Sequence, residues 1–181
     1  MKGEQHQIRK ATEDLASKVG TEKTKEFQSA AAKVVQGGVM PKDVMGLSDA
    51  MVEGIYGQAY RLYNTGKYKD ASQLFRLLIM LNTTESKYAM GLAACFHMLK
   101  EYKNAISTYS ICGVLDPDSP VPHYHASDCY IHLNDPASAI LALEMAIKRS
   151  GERVEYQTLK DRAMLTIESL KKDLSSKTKS S

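Results

Sequence analysis

Residues 66–75 read GKYKDASQLF and residues 100–109 read KEYKNAISTY, one pattern displaced by 34 positions. The register continues beyond both segments. Tyr68, Ala71, Phe75 and Leu81 fall on Tyr102, Ala105, Tyr109 and Leu115, and a second displacement of 34 brings Pro136, Ala139, Leu143 and Ala146 onto the same track. An alanine recurs without drift at 71, 105 and 139. A unit this short cannot bury its own apolar face, so a chain built this way must stack its units into one continuous core.

A 34-residue period is that of the tetratricopeptide (TPR) repeat, a helix, a turn and a second helix. In the first unit helix A is expected over 52–64, with Gly66 in the turn and helix B over 69–81. Small residues stand where the two helices must approach: Ala59 with Ala71, Ala93 with Ala105, Ser127 with Ala139. A bulky side chain there would force the pair apart at a cost of ~1–3 kcal/mol. Asp116 and Pro117 close the second unit as proline does after a helix, whereas the first ends on Asn82, Thr83 and Thr84.

The expected fold is therefore all-α: a TPR solenoid of three repeats, 52–85, 86–119 and 120–153, with N-terminal helices and a C-terminal capping helix. In the cap, Leu159, Ala163, Ile167, Leu170 and Leu174 share one helical face across 154–174, and the polar segment 175–181 is expected to be disordered. Residues 1–51 form an N-terminal extension. There, Ile8, Leu15 and Val19 give a weak helical pattern, while Phe27, Ala31 and Val34 give a better one, stopped by Gly37 and Gly38. Ser48 and Asp49 supply an N-cap for the first repeat helix.

Helix A surfaces line the inner wall of such a solenoid. Ile55, Ala59 and Leu62 point into the first repeat, which turns Tyr56, Tyr60 and Tyr63 toward the groove as one stripe. The second repeat contributes Met90, Ala94, His97 and Met98, and the third Val121, Tyr124, Asp128 and Ile131. Tyrosine offers rigid contact area with a polar tip, and methionine adapts to different partners. Such a wall suits apolar anchors on an extended or helical segment. It does not suit a charged terminus: the positions where TPR co-chaperones carry a carboxylate clamp hold Tyr56, Tyr60, Gly91, Val121 and His125.

Other chemistries find little support. The net charge is +3 with acids and bases interleaved, so the basic stripe of a nucleic-acid binder is missing. No apolar run reaches membrane-spanning length, and the N-terminal residues lack the apolar core of a signal peptide. Cys95, Cys112 and Cys129 make an odd set without a CxxC pair, and their spacing of half a repeat reads as small residues at helix contacts in a reducing compartment. The segment HYHASDCYIH (123–132) places His125, Asp128 and Cys129 on adjacent turns, with His97, His123 and His132 as further candidates. No fourth zinc ligand is evident, and Cys129 repeats the position of Cys95. The expectation is no metal, no cofactor and no catalytic residue.

The run IYGQAYRLYNTGKYKDASQLFRLLIMLN, the segment GLAACFHML and the preceding GG and LSDAMVEGIY together resemble the class II chaperones of bacterial type III secretion, which serve translocator proteins. The resemblance covers residues 27–170. It implies a cytoplasmic, non-enzymatic bacterial chaperone that clasps a short segment near the N-terminus of a hydrophobic translocator. The family's groove tyrosines match Tyr56, Tyr60, Tyr63 and Tyr68, and another matches Tyr109. It also implies dimers through N-terminal helices, for which Phe27, Ala31 and Val34 could serve, although that face could equally fold back on the first repeat. The competing reading, resting on the repeats alone, is a general TPR scaffold that bridges folded partners.

Overall fold

The computed structural model describes residues 41–179. The expectations placed on Ile8, Leu15, Val19, Phe27, Ala31, Val34, Gly37 and Gly38 lie outside the described residues. The chain divides into two compact units, Met1–Asp49 and Ala50–Ser181. The described part of the first is a single helical turn, Pro41–Val44, followed by a bend at Gly46 (φ +67°) and an ion pair between Lys42 and Asp49.

The second unit is a succession of helices. Three hairpins, α1 (Asp49–Asn64) with α2 (Tyr68–Leu81), α3 (Ser86–Met98) with α4 (Tyr102–Leu115) and α5 (Val121–His132) with α6 (Pro136–Ser150), lead through a short 3-10 turn (Val154–Tyr156) into α7 (Gln157–Lys179). From α2 to α7 each helix packs against its neighbours in the chain. The first hairpin is joined by ring contacts from Tyr56 to Phe75 and from Tyr63 to Tyr68. This is the TPR solenoid read from the period.

The small residues sit where close approach demands them. Ala59, Ala71, Ala93, Ala105 and Ala139 are wholly buried and Ser127 nearly so. Between the helices of each hairpin the chain turns through a residue with positive φ: Gly66 at +77°, Lys100 at +61° and Asn134 at +57°. All three turns use one pair of hydrogen bonds. In the second repeat, Lys100 N–H donates to the His97 carbonyl and Glu101 N–H to the Phe96 carbonyl, which satisfies carbonyls at the end of α3. At the start of α6 the Asp135 carboxylate accepts from the Ser138 N–H at 3.0 Å.

Contacts between residues 34 and 36 positions apart tie consecutive hairpins together. Lys87 Nζ lies 3.0 Å from Glu53 Oε2, linking α3 to α1. Arg149 Nη1 donates to the Gly113 carbonyl at 3.0 Å, linking α6 to α4. The last helix lies against α6 with Ala163 wholly buried, and it continues through Lys179, beyond Leu174, where a disordered tail was expected. Thr166, Ser175 and Ser176 return their hydroxyls to carbonyls within α7, so a polar sequence remains compatible with helix there.

Candidate functional site: the face of helices α1, α3 and α5

Tyr56, Tyr60 and Tyr63 occupy one side of α1, and none is sealed in the core: Tyr60 is 55% exposed and the other two are half-buried. With Met90 and Ala94 of α3 they line a cavity of about 220 Å³. Three further residues complete it: Phe75 from α2, and Lys87 and Gly91 from α3. Tyr56 is the hub. Its ring meets Tyr60 at 6.4 Å, Phe75 edge-on at 6.2 Å and Tyr88 at 5.7 Å between centroids. Lys87 Nζ stands 4.7 Å from the Tyr56 centroid, a cation–π contact held by the ion pair with Glu53, which also raises the Lys87 pKa. Burial raises the Tyr63 pKa, so its phenol stays neutral at physiological pH.

A second cavity, of about 200 Å³, lies under α5. Tyr124, Asp128 and Ile131 line it together with His125, Ser127, Leu143 of α6 and Thr166 of α7. The expected stripe thus resolves into an aromatic, apolar basin at one end and a more polar basin at the other.

Not every expected residue reaches a cavity. Tyr109 is 2% exposed, stacked on His125 at 5.8 Å, and presents no surface to a partner. It occupies on α4 the repeat position of Phe75, and a side chain there points between the helices. Tyr68 stands edge-on behind Tyr63 rather than in the basin. Met98 is 47% exposed at the end of α3 and Val121 is half-buried at the start of α5, and neither lines either of these two cavities. Phe75, Lys87 and Gly91 escaped a reading restricted to one stripe per helix. The repeat alignment of Phe75 with buried Tyr109 and Leu143 marks a core position, and only the absence of a side chain at Gly91 lets that core residue show through.

The histidine-rich segment does not assemble as its order suggests. Asp128 meets His97 of the preceding repeat, with Oδ2 2.8 Å from Nε2, and His132 one turn on, at 3.7 Å. Cys129 is wholly buried. Burial pushes the thiols of Cys95 and Cys112 up to about 12 and that of Cys129 to about 11, which leaves them protonated and poor nucleophiles.

Residues 64–146 match the family model described as anaphase-promoting complex, cyclosome, subunit 3. The chain is 29% identical over 151 residues to low calcium response locus protein H of Yersinia pestis, covering 83% of this chain and 90% of that protein. It is 30% identical over 137 residues to the chaperone protein SicA of Salmonella dublin, covering 76% of this chain and 81% of SicA. The type III secretion chaperone SycD of Yersinia enterocolitica, solved with a peptide of the translocator YopD, superposes with a TM-score of 0.67 at 30% identity, over 70% of this chain and 96% of SycD. The chain belongs to the type III secretion translocator chaperones. In this member of the family, the aromatic basin between α1 and α3 is formed chiefly by carbon surface, with phenol oxygens and one ammonium at its edge. That surface can hold an aliphatic side chain by burial and offer hydrogen bonds to the backbone beside it. No helix among the described residues is long and apolar enough to cross a membrane.

Proposed function

We propose that this chaperone holds a short apolar segment of a hydrophobic translocator across the faces of α1, α3 and α5, in the cytoplasm, and keeps that protein soluble and unassociated before export. The observation that carries the reading is the basin at Tyr56, Tyr60, Tyr63, Met90 and Ala94, on the face of a fold whose relative SycD was solved with a translocator peptide. An aliphatic anchor buried there contributes ~1.5–3 kcal/mol. Two or three such anchors, less the cost of ordering the segment, give micromolar to nanomolar binding. Occupying the segment lowers by mass action the free concentration of a protein whose membrane-inserting surfaces aggregate in water.

Fluorescence anisotropy with a labelled peptide from the N-terminal region of a translocator tests the reading. Replacing Tyr56 and Tyr60 together with alanine is expected to abolish capture while helical circular dichroism is retained. Unchanged affinity in that variant rejects the site.

A further inference from the structure

His97, Asp128 and His132 each bring one ligand atom to a common point, and these atoms all lie within 4.8 Å of one another. We propose that the three residues form a zinc site that clips the second repeat to the third.

The placement follows from the fold. Asp128 and His132 are i and i+4 on α5 and so share one face of that helix, while His97 comes from the last turn of α3, the corresponding helix of the preceding repeat. Nε2 of each imidazole lies near the same carboxylate oxygen, at 2.8 and 3.7 Å. A tetrahedral zinc with ligand arms of ~2.0 Å spaces its donors roughly 3.3 Å apart. The two carboxylate–imidazole separations bracket that value. The remaining adjustment falls to His132, which is half exposed and lies at a helix end. Tyr102 steadies the rings: it is parallel to His132 at 4.6 Å with 5° between planes, and edge-on to His97 at 6.0 Å. Ring orientation is what a metal ligand needs fixed in advance.

The donor set selects the ion. Two imidazole nitrogens and one carboxylate oxygen suit a borderline transition metal, whereas magnesium and calcium require mostly oxygen. Among the described residues, Asp128 has no lysine or arginine partner, so no fixed cation competes for its charge. Asp128 is half exposed and also borders the cavity under α5, so water or a donor on a bound segment can supply the fourth ligand.

The test uses tag-free full-length protein and zinc chloride, with magnesium chloride as the control ion and no cargo present, so its outcome is independent of the chaperone reading. Isothermal titration is expected to show one zinc per chain with micromolar or tighter affinity, together with a raised melting temperature. His132→Gln and Asp128→Asn should each weaken binding at least ~10-fold and remove the thermal shift, while His6→Gln should leave both unchanged. Both substitutions are at half-exposed side chains, and circular dichroism confirms that the variants are folded. Absence of uptake at submillimolar zinc, or uptake equal to wild type in both cluster variants, overturns the proposal.

Discussion

The ring of Phe75, from the second helix of repeat one, lies over the α-carbon of Gly91, from the first helix of repeat two, so closely that a β-carbon at Gly91 would overlap three ring atoms. Phe75 is 2% exposed and cannot swing into solvent without abandoning the core. The missing side chain at 91 therefore does two things: it lets consecutive repeats close, and it lets the Phe75 ring form part of the wall of the aromatic basin.

Gly91→Ala should accordingly act on both stability and binding. Overpacking at a buried ring costs ~1–3 kcal/mol, read as a lower urea midpoint. The displaced ring should also reshape the basin and weaken peptide capture at temperatures where the variant remains folded. A midpoint equal to wild type would show that Phe75 relaxes freely, and the inter-repeat role of Gly91 would be lost.

The turn residues carry strain that can be relieved. Lys100 and Asn134 hold the left-handed conformation that Gly66 adopts at no steric cost. Lys100→Gly removes a strain of ~1–2 kcal/mol and adds part of it back as unfolded-chain entropy, for a net gain of about 0.5–1 kcal/mol. Asn134→Gly should gain less, since asparagine tolerates this region better. Thermal unfolding of the two variants should rank Lys100→Gly above Asn134→Gly, with both at or above wild type. A destabilised Lys100→Gly would mean that the lysine side chain makes a compensating contact.

How much of this was legible beforehand depended on whether a residue's role is set by its own repeat. Ala71, Ala105 and Ala139 announce close helix contacts because the requirement recurs every 34 residues, and all three are wholly buried. The stripe Tyr56, Tyr60 and Tyr63 follows from helical geometry alone and lines one basin. What escaped belongs to contacts between repeats. Phe75 enters the basin only because residue 91, one repeat on, has no side chain. His97 meets Asp128 across the boundary between repeats two and three, whereas linear proximity had grouped Asp128 with His125 and Cys129. Tyr109 was placed in the groove by resemblance, yet its B-helix position directs it inward, as its repeat equivalents Phe75 and Leu143 are directed.

The cysteines provide a reporter of unfolding. Cys95, Cys112 and Cys129 are at most 1% exposed, with thiols pushed to about 11 or 12 by burial. At pH 8 a thiol reagent should modify the native chain slowly and all three sites quickly in urea. Mass spectrometry of alkylated protein distinguishes the outcomes. Rapid native labelling at Cys112 alone would place a local opening in α4.

Acid sensitivity should arise from two histidines well above the carboxylate range. Burial lowers the pKa of His125, aided by the nearby charge of His97 and opposed by Asp128; burial and the Arg149 guanidinium lower that of His123, whose Nε2 finds no hydrogen-bond partner among the described residues. Their ordinary value is 6.5. Below it the unfolded chain takes up protons that the folded chain refuses, so stability is full above that pH. It falls as pH drops through 6.5 toward the folded values, and ceases to fall below them. Asp49 and Asp135, held below the ordinary 3.8 by Lys42 and by the Ser138 cap, act only at lower pH and do not blur this window. Urea midpoints measured between pH 7.5 and 5.5 should decline for wild type and decline less for His125→Gln, which keeps a polar side chain of similar size without a titrating group. Equal slopes in the two proteins would assign the acid sensitivity to other residues and contradict the half-buried, neutral state of His125.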